Sequence, residues 1–596
     1  MNNVIDLNSA VKPEPAAIDT RIIFRDEDGR KKTQSTILIE IGKKLDLFHC
    51  PNGDGYAIMP AGKGQAIFRL KSSGFNEYLS HEYFKLTGKG CNTPALTEAL
   101  STLEAEAKFN NPKHDVFMRV SKISCVINID IGCSEWQCVN VTANGWQLID
   151  KPSVKFTRRK GAASLPVPSK NGNAELLKQY INADDDQFPL ILGWLLCALG
   201  GVKPFPVLIL QGEQGTGKST TSKVLRSLVD PSTVPLRNPP KDIDSLLVSA
   251  CNNYMVVLDN LSGLSPELSD ALCRLSTGGG IDKRQLYSDG EQFLIEIQRP
   301  VLINGIDDIA TRPDLAERSI IINLPVIEGD NRRSEEEFWT AFEADKPHIL
   351  GGLLDLLALG LANYDSVKLP YKPRMADMAK WTAACEVGTG YEGEFMKAHS
   401  KNQTEAVELG IEASPAGSAI MALMDSRDSW TGSPNDLMSA LEAIAGERQT
   451  RSKAWPQSTK GLSNIIKRLM PGFRKLGLSI EDGRTMTGRF YKIKTSGIYP
   501  SYPSYPSLDG YNPDVARVTA MTDSKTYPSC NRHASVIMTD SQFMTDSMTD
   551  SENLSVMDEP SNGAGLSGGM TDMTDMTLKS EQFKKFTDNK NSEGAI

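Results

Sequence analysis

The chain has 596 residues, 40% of them hydrophobic and 23% charged, with a net charge of −9. That length exceeds one hydrophobic core, so several domains are expected, and the composition excludes a collagen-like or wholly disordered chain. The acidic balance excludes a uniformly basic nucleic-acid binder, so contacts to nucleic acid must come from local basic patches.

Residues 1–20 hold acids and prolines where a secretion signal needs a basic and then an apolar segment, and are expected to form a loose arm. The ten cysteines are scattered. Cys133 and Cys138 have no second pair and no histidine nearby, so no zinc site is expected, and the thiols fit a reducing cytoplasm. Residues 21–168 read as an α+β domain of unknown role. Within it 22–24, 36–41, 56–59 and 66–68 look like strands, 75–86 and 94–109 like helices, and 116–120, 125–131 and 138–141 like strands again. Asn128-Ile129-Asp130 offers one acid where a primase site needs a pair. The run Lys155-Phe156-Thr157-Arg158-Arg159-Lys160 fits either a nucleic-acid backbone contact or a solvated loop. Residues 175–199 read as helix. Their apolar part, 188–199, is too short to span a bilayer and is expected to be buried, leaving the protein without a membrane partner.

The next stretch carries the chemistry. Residues 206–210 are a short apolar run, and 220–229 place Val224, Leu225, Leu228 and Val229 at helical spacing. Between them stands Gly212-Glu213-Gln214-Gly215-Thr216-Gly217-Lys218-Ser219, followed by Thr220. It fits G-x-x-x-x-G-K-[ST] in the strand–loop–helix context that such a phosphate-binding loop requires. Backbone N–H groups of the glycine loop curl round phosphates, and the helix N-terminus adds a positive field. Lys218 is expected on the β- and γ-phosphates of ATP and the Ser219 hydroxyl on Mg²⁺. A second apolar strand, 254–258, ends in Asp259-Asn260, and a carboxylate there is placed to serve Mg²⁺. A third, 300–303, ends in Asn304, a polar group able to reach the γ-phosphate or the attacking water. Arg312 and Arg318 precede a fourth strand, 319–324, where an arginine can be presented to a neighbouring subunit's nucleotide.

Between the second and third strands runs Leu275-Ser276-Thr277-Gly278-Gly279-Gly280-Ile281-Asp282-Lys283-Arg284-Gln285-Leu286-Tyr287. With these motifs in this order over about 207–325, the chain resembles the superfamily 3 helicases. These are AAA+-like hexameric ATPases of small viruses, phages, plasmids and integrating elements. The nearest likeness is to the phage-type primase-helicase branch. The resemblance implies that Lys218 is the nucleotide lysine, Asp259 the Walker B aspartate, Asn304 the sensor-1 asparagine and Arg318 the arginine finger, with Arg312 a weaker candidate. It also implies that Lys283 and Arg284 lie near a hairpin facing a central channel that holds single-stranded DNA. One departure stands out: the family's second Walker B acid is replaced here by Asn260. An amide orients water but cannot take its proton. Slow or DNA-stimulated hydrolysis is therefore expected, with Asn260→Glu faster.

Residues 331–409 are helix-rich. In 410–495, helices at 416–424 and 434–445 precede a third in which Leu462, Ile465, Ile466 and Leu469 share one face, with Lys460, Lys467 and Arg468 off it. Pro471 and Gly472 are expected to end that helix. A hairpin follows, with Leu478-Ser479-Ile480, a turn at 481–484 including Arg484, and a return strand from Arg489. This resembles a winged helix, whose third helix enters the major groove of duplex DNA while its wing touches backbone. Residues 496–596, with tandem Tyr-Pro-Ser and recurrent Met-Thr-Asp, are low in complexity and expected to be disordered.

The fold expected is thus an α/β P-loop core of AAA+ type (169–330, with a helical lead-in), flanked by the N-terminal α+β domain, the helical segment and the winged helix. The function expected is an ATP- and Mg²⁺-dependent DNA helicase or replication-initiation ATPase of a phage or integrated element. It would work as a homo-oligomeric ring, a hexamer by the resemblance, alongside other replication proteins. A non-translocating initiator with weak ATPase, and a DNA-binding regulator with a decayed ATPase, are the alternatives.

Overall fold

The computed structural model describes residues 30–495 apart from Lys63, 285–291, 307–311, 330–331 and 486–487, together with Phe24 and Asp28. The expected arm, most of the strand at 22–24, Gln285-Leu286-Tyr287 and the tail lie outside the described residues.

Residues 36–41 belong to a helix and not to a strand: α1 spans Gln34–Lys43. The Thr33 hydroxyl accepts from Thr36 N at 3.2 Å, and Ile37, Leu38 and Ile41 are buried at helical spacing. A short apolar run fits both periods, and here the N-cap decides. The antiparallel strands β1 (Asp46–His49), β2 (Gly55–Ala61) and β3 (Gly64–Arg69) follow, then helices α2 (Ser73–Thr87) and α3 (Thr93–Asn110). These elements share a core of their own around Leu38, Leu70, Leu79 and Leu103.

Residues 116–120 divide into β4 (Val116–Phe117) and β5 (Val120–Ile123), parted at Arg119, whose φ is 57°. Strand β5 continues into an antiparallel meander with β6 (Val126–Asp130), β7 (Cys138–Thr142) and β8 (Gly145–Ile149), while β9 (Lys155–Phe156) pairs with β4. Part of the basic run at 155–160 is structural, while Lys160 is exposed. Phe156 is buried, and Arg158 pairs with the buried Asp130 at 2.6 Å while stacking on Trp136. The meander shares its core with α4 (Phe188–Gly200). The helix expected from 175 is broken: a 3-10 turn covers Ala174–Gln179, and the Asp184 carboxylate, accepting from Gln187 N, starts α4 afresh. No helix of the described residues is long and apolar enough to cross a membrane.

Strands β10 (Val207–Gln211), β11 (Val256–Leu261), β14 (Val301–Gly305) and β15 (Ser319–Asn323) form one parallel sheet in the order β11-β14-β10-β15. Leu208, Leu210, Leu302, Ile320 and Ile322 face one core, and Val207, Ile209, Val301, Ile303 and Ile321 face the other. Burial on both faces explains why these strands read as continuous apolar runs. Between them lie α5 (Lys218–Val229), α6 (Ile243–Asn252), α7 (Pro266–Thr277), the hairpin of β12 (Gly280–Arg284) with β13 (Gln292–Glu296), and α8 (Pro313–Ala316).

Helices α9 (Glu335–Asn363), α10 (Ala376–Glu386) and α11 (Glu394–Glu412) follow. The Asn402 side chain on α11 closes the open edge of the sheet: its Oδ1 accepts from Ile321 N at 3.0 Å and its Nδ2 donates to Ile321 O. One turn earlier, His399 is 4% exposed and its Nδ1 has no hydrogen-bond partner. Burial pulls its pKa from 6.5 down to about 4. The folded ring therefore stays neutral where the unfolded one protonates. Stability is full above pH 6.5 and lost as pH falls toward 4, by on the order of 3 kcal/mol. His399→Phe should shrink the drop in melting temperature between pH 7 and pH 5, and an unchanged drop would remove His399 as its source.

The C-terminal part contains α12 (Pro415–Met424), β16 (Ser429–Gly432), α13 (Pro434–Thr450, broken at Gly446), α14 (Thr459–Lys475) and the strands β17 (Leu478–Thr485) and β18 (Gly488–Thr495). Helix α14 does not end at Pro471. It continues to Lys475 because Phe473 completes its buried row Leu462, Ile466, Leu469. Residues 481–484 are strand and not turn: Glu481 faces Lys492 and Arg484 faces Arg489 across the hairpin. The strand β16, unforeseen, makes a third member beside β18. Ile411 at the end of α11 is buried in this same core, so position 410 falls inside a helix that serves both cores.

Candidate functional site

The glycine loop sits where β10 ends and α5 begins. Gly212, Gly215 and Gly217 have φ of 147°, 87° and 78°. A Cβ on Gly212 would stand 2.7 Å from Leu324 O, so both the conformation and the space demand glycine there. Helix α5 has Gly217 at its N-cap and no side-chain cap. Its first N–H groups are thus left for a ligand. Glu213, Gln214 and Gly215 are exposed, whereas Thr216 is buried, its hydroxyl donating to Glu213 O at 3.1 Å. Thr220 lies in the first turn of α5 and is half-buried.

The Lys218 ammonium folds back over the loop, donating to Gly212 O at 2.7 Å and Glu213 O at 2.6 Å. Burial lowers its pKa, opposed by the Asp259 carboxylate. Around that carboxylate three strand ends converge. Ser219 Oγ donates to Asp259 Oδ1 at 2.8 Å, and Asn304 Nδ2 donates to the same oxygen at 2.7 Å and to Ser222 Oγ at 2.8 Å. The register of β11 against β14 shifts between Leu258 and Leu261, so Asp259 and Asn260 form a bulge. Asn260 takes a φ of 60°, and its N–H donates to Asn304 Oδ1 at 2.9 Å. Bulges re-aim side chains beside active sites, and this one directs Asp259 to Ser219. Asn260 is exposed at the same rim. Asparagine tolerates the left-handed conformation better than most residues.

The donors suit Mg²⁺: one hydroxyl and one carboxylate, hard oxygen ligands that leave positions for water and phosphate. Among the described residues no cluster of three or more His, Cys, Asp or Glu offers an all-protein metal cage.

Arg318 lies elsewhere. Its carbonyl accepts from Val207 N, at the start of β10, whereas the glycine loop follows the end of that strand. At about 3.3 Å per residue, the two are roughly 15–20 Å apart. Its guanidinium holds Asp314 through both the carbonyl (2.8 Å) and the carboxylate. Arg374 pairs with Asp314 and Glu317, and Lys475 of α14 reaches Glu317 at 3.0 Å. Arg312 is bound to Asp270 at 2.8 Å.

Lys283 and Arg284 lie on β12 of the β12–β13 hairpin, with their side chains outside the described part. Lys460, Lys467 and Arg468 are exposed on α14, as are Arg484 and Arg489 on the wing. Arg489 is tied to Asp482 at 2.8 Å, which offsets its charge. Sequence reasoning missed Asn182, whose Nδ2 donates to Thr216 O at 3.0 Å and Pro325 O at 2.6 Å and so pins the loop from outside. No local pattern marks it.

Residues 174–400 match the family model described as "Actinomycete integrative conjugative element replication protein", and residues 416–504 match "AICE RepA C-terminal domain". Among solved structures, the A-form apo structure of the NrS-1 C-terminal region is 12% identical, covers 78% of this chain and 100% of its own, and has a TM-score of 0.35. A JCV helicase with a bound small molecule is 14% identical, covers 35% of this chain and 67% of its own, and has a TM-score of 0.19. No curated protein matches the chain.

Proposed function

Residues 174–400 and 416–504 are those of an integrative conjugative element replication protein of the RepA family, and from that premise we propose an ATP-driven DNA motor of AAA+ type that works as a ring. The observation that carries the reading is the convergence of Ser219, Asp259 and Asn304 beside the glycine loop. Residues 212–220 would bind ATP, with Ser219 and Asp259 holding Mg²⁺. The bound Mg²⁺–ATP supplies the phosphoryl group and part of the charge that stabilises its transfer. Lys218 would exchange its loop carbonyls for the β- and γ-phosphates. Asn304 keeps Asp259 aimed at Ser219, and Asn260 orients water from the bulge. Phosphoryl transfer depends chiefly on positioning and charge stabilisation, so this set suffices for turnover without a second carboxylate.

Arg318 cannot serve its own loop across the length of a strand. It would complete the site of the next subunit, which requires an assembly, and a hexamer is the form the superfamily 3 resemblance implies. Lys283 and Arg284 would face single-stranded DNA in the channel. Lys460, Lys467, Arg468, Arg484 and Arg489 would contact duplex phosphates. Strand displacement on a forked duplex tests the reading: ATP-dependent unwinding supports it. Asn260 favours one rival, a non-translocating initiator, which would bind and assemble on the fork without opening it.

The bulge also refines the choice of substitution at Asn260. Aspartate tolerates a φ of 60° better than glutamate. Asn260→Asp should therefore raise ATP turnover severalfold by supplying a proton acceptor while leaving nucleotide affinity unchanged. An unchanged turnover would mean that residue 260 is not at the attacking water.

A further inference from the structure

Arg318 follows α8, a helix of only four residues. So short a helix does not hold its own position, which is set by what grips the chain around it. Before Arg318, a line of alternating charges runs from the winged helix to the arginine itself. Lys475 donates to Glu317 at 3.0 Å, Arg374 joins Glu317 to Asp314, and Asp314 holds Arg318. Burial pushes the Glu317 carboxyl up, yet the hydrogen bonds of Lys475 and Arg374 outweigh this and hold it below the usual range. After Arg318, Gln403 of α11 donates through Nε2 to Ser319 O at 3.1 Å. Helix α11 in turn lies directly against α14, because a Cβ on Gly472 would stand 3.2 Å from Val407 and 3.3 Å from Ile411. The residues on both sides of Arg318 are thus tied to α14, one by charge and one through α11. Lys475 is the last residue of α14, and Lys460, Lys467 and Arg468 are exposed along the same helix.

We propose that Glu317, Arg374 and Lys475 are positioning residues that carry the binding of duplex DNA on α14 to Arg318, so that hydrolysis at the next subunit's nucleotide responds to duplex. The inference rests on the reading of Arg318 as an arginine presented to a neighbour and of α14 as the DNA-facing helix. Duplex phosphates drawing on the basic side of α14 pull Glu317 with it, and Glu317 stands next to Arg318 in the chain. A displacement of about 1 Å in a catalytic group changes a rate by about a hundredfold, so a small shift of α14 suffices. An exposed ion pair adds little to stability. The role of Lys475 is therefore to be read in the response to DNA and not in the melting temperature.

The test is ATP turnover of the full-length protein without DNA, with saturating duplex and with single-stranded DNA. The unmodified protein should rise severalfold with duplex. Lys475→Met should rise less than about twofold, with turnover in the absence of DNA unchanged, which is a coupling lost between two sites. Lys475→Arg should recover the response, because the charge returns to Glu317. Glu317→Gln should lose the response as Lys475→Met does, and the double variant should lose no more, since the two residues act through one contact. A full duplex response in Lys475→Met, or a loss that Lys475→Arg does not recover, would overturn the proposal. If turnover of the unmodified protein responds to neither form of DNA, the motor reading itself fails and takes this inference with it. If it responds to single strands and not to duplex, the inference alone fails.

Discussion

An Arg318→Ala protein is expected to hydrolyse ATP about a thousandfold more slowly than the wild type while binding it normally. An arginine presented to transferring phosphate from a neighbouring subunit is worth that much or more. The geometry makes the effect separable from binding, because Arg318 stands at the start of β15 and the glycine loop at the end of β10. Its present partner is Asp314. Burial pushes the Asp314 carboxyl up, yet the hydrogen bond and charge of Arg318 outweigh this and hold it below the usual range. Removing Arg318 therefore also takes the nearer of two cations from that carboxylate and leaves it Arg374 alone, and loss of activity alone would not distinguish a misplaced α8 from a missing finger. Arg318→Lys separates the two. It leaves Asp314 a cation and keeps the fold, but lacks the bidentate fork, so turnover should still fall at least tenfold. Turnover restored to wild type by lysine would assign Arg318 a purely structural role.

Lys218→Ala should abolish measurable ATP binding at micromolar nucleotide and leave the fold intact. In the described state the ammonium contacts only carbonyls and the Thr216 hydroxyl of its own loop, so its removal breaks no ion pair. Retained ATP affinity would show that the loop does not cradle phosphates. The two variants together give a sharper result. In a mixed assembly an Arg318→Ala subunit still supplies an intact glycine loop, and a Lys218→Ala neighbour still supplies an intact arginine. Mixing should restore part of the turnover that neither variant has alone.

The glycine loop was legible because everything it needs is local: an apolar strand, glycines at fixed offsets and an amphipathic helix. Asp259 and Asn304 became legible through their order along the chain, each beside a buried apolar run. The bulge at Asp259–Asn260 was not legible, because it is held by the Asn304 side chain from a strand more than forty residues away. Asn182 escaped for the same reason: a polar residue of no pattern is brought to the loop only by the path of the chain before α4.

Other errors came from reading local signals too strictly. Residues 36–41 look like a strand until the Thr33 cap is considered. Pro471 looks like a helix end, yet proline removes one backbone bond, and burial of Phe473 outweighs that loss. The acid-rich stretch 481–484 looks like a turn, but its pairing with β18 extends the wing. The basic run at 155–160 left two readings open, a backbone contact or a solvated loop, and neither included the role of Arg158, which compensates Asp130 in the interior.

The central claim is that ATP binding and hydrolysis take place in an assembly acting on DNA. ATP turnover of the full-length protein, with and without single-stranded DNA, on a sample whose mass is measured in ATP, tests it most directly. The account predicts a multimer in ATP and turnover that is slow alone and rises severalfold with DNA. A protein that stays monomeric and yet hydrolyses ATP at the same rate with or without DNA would contradict it.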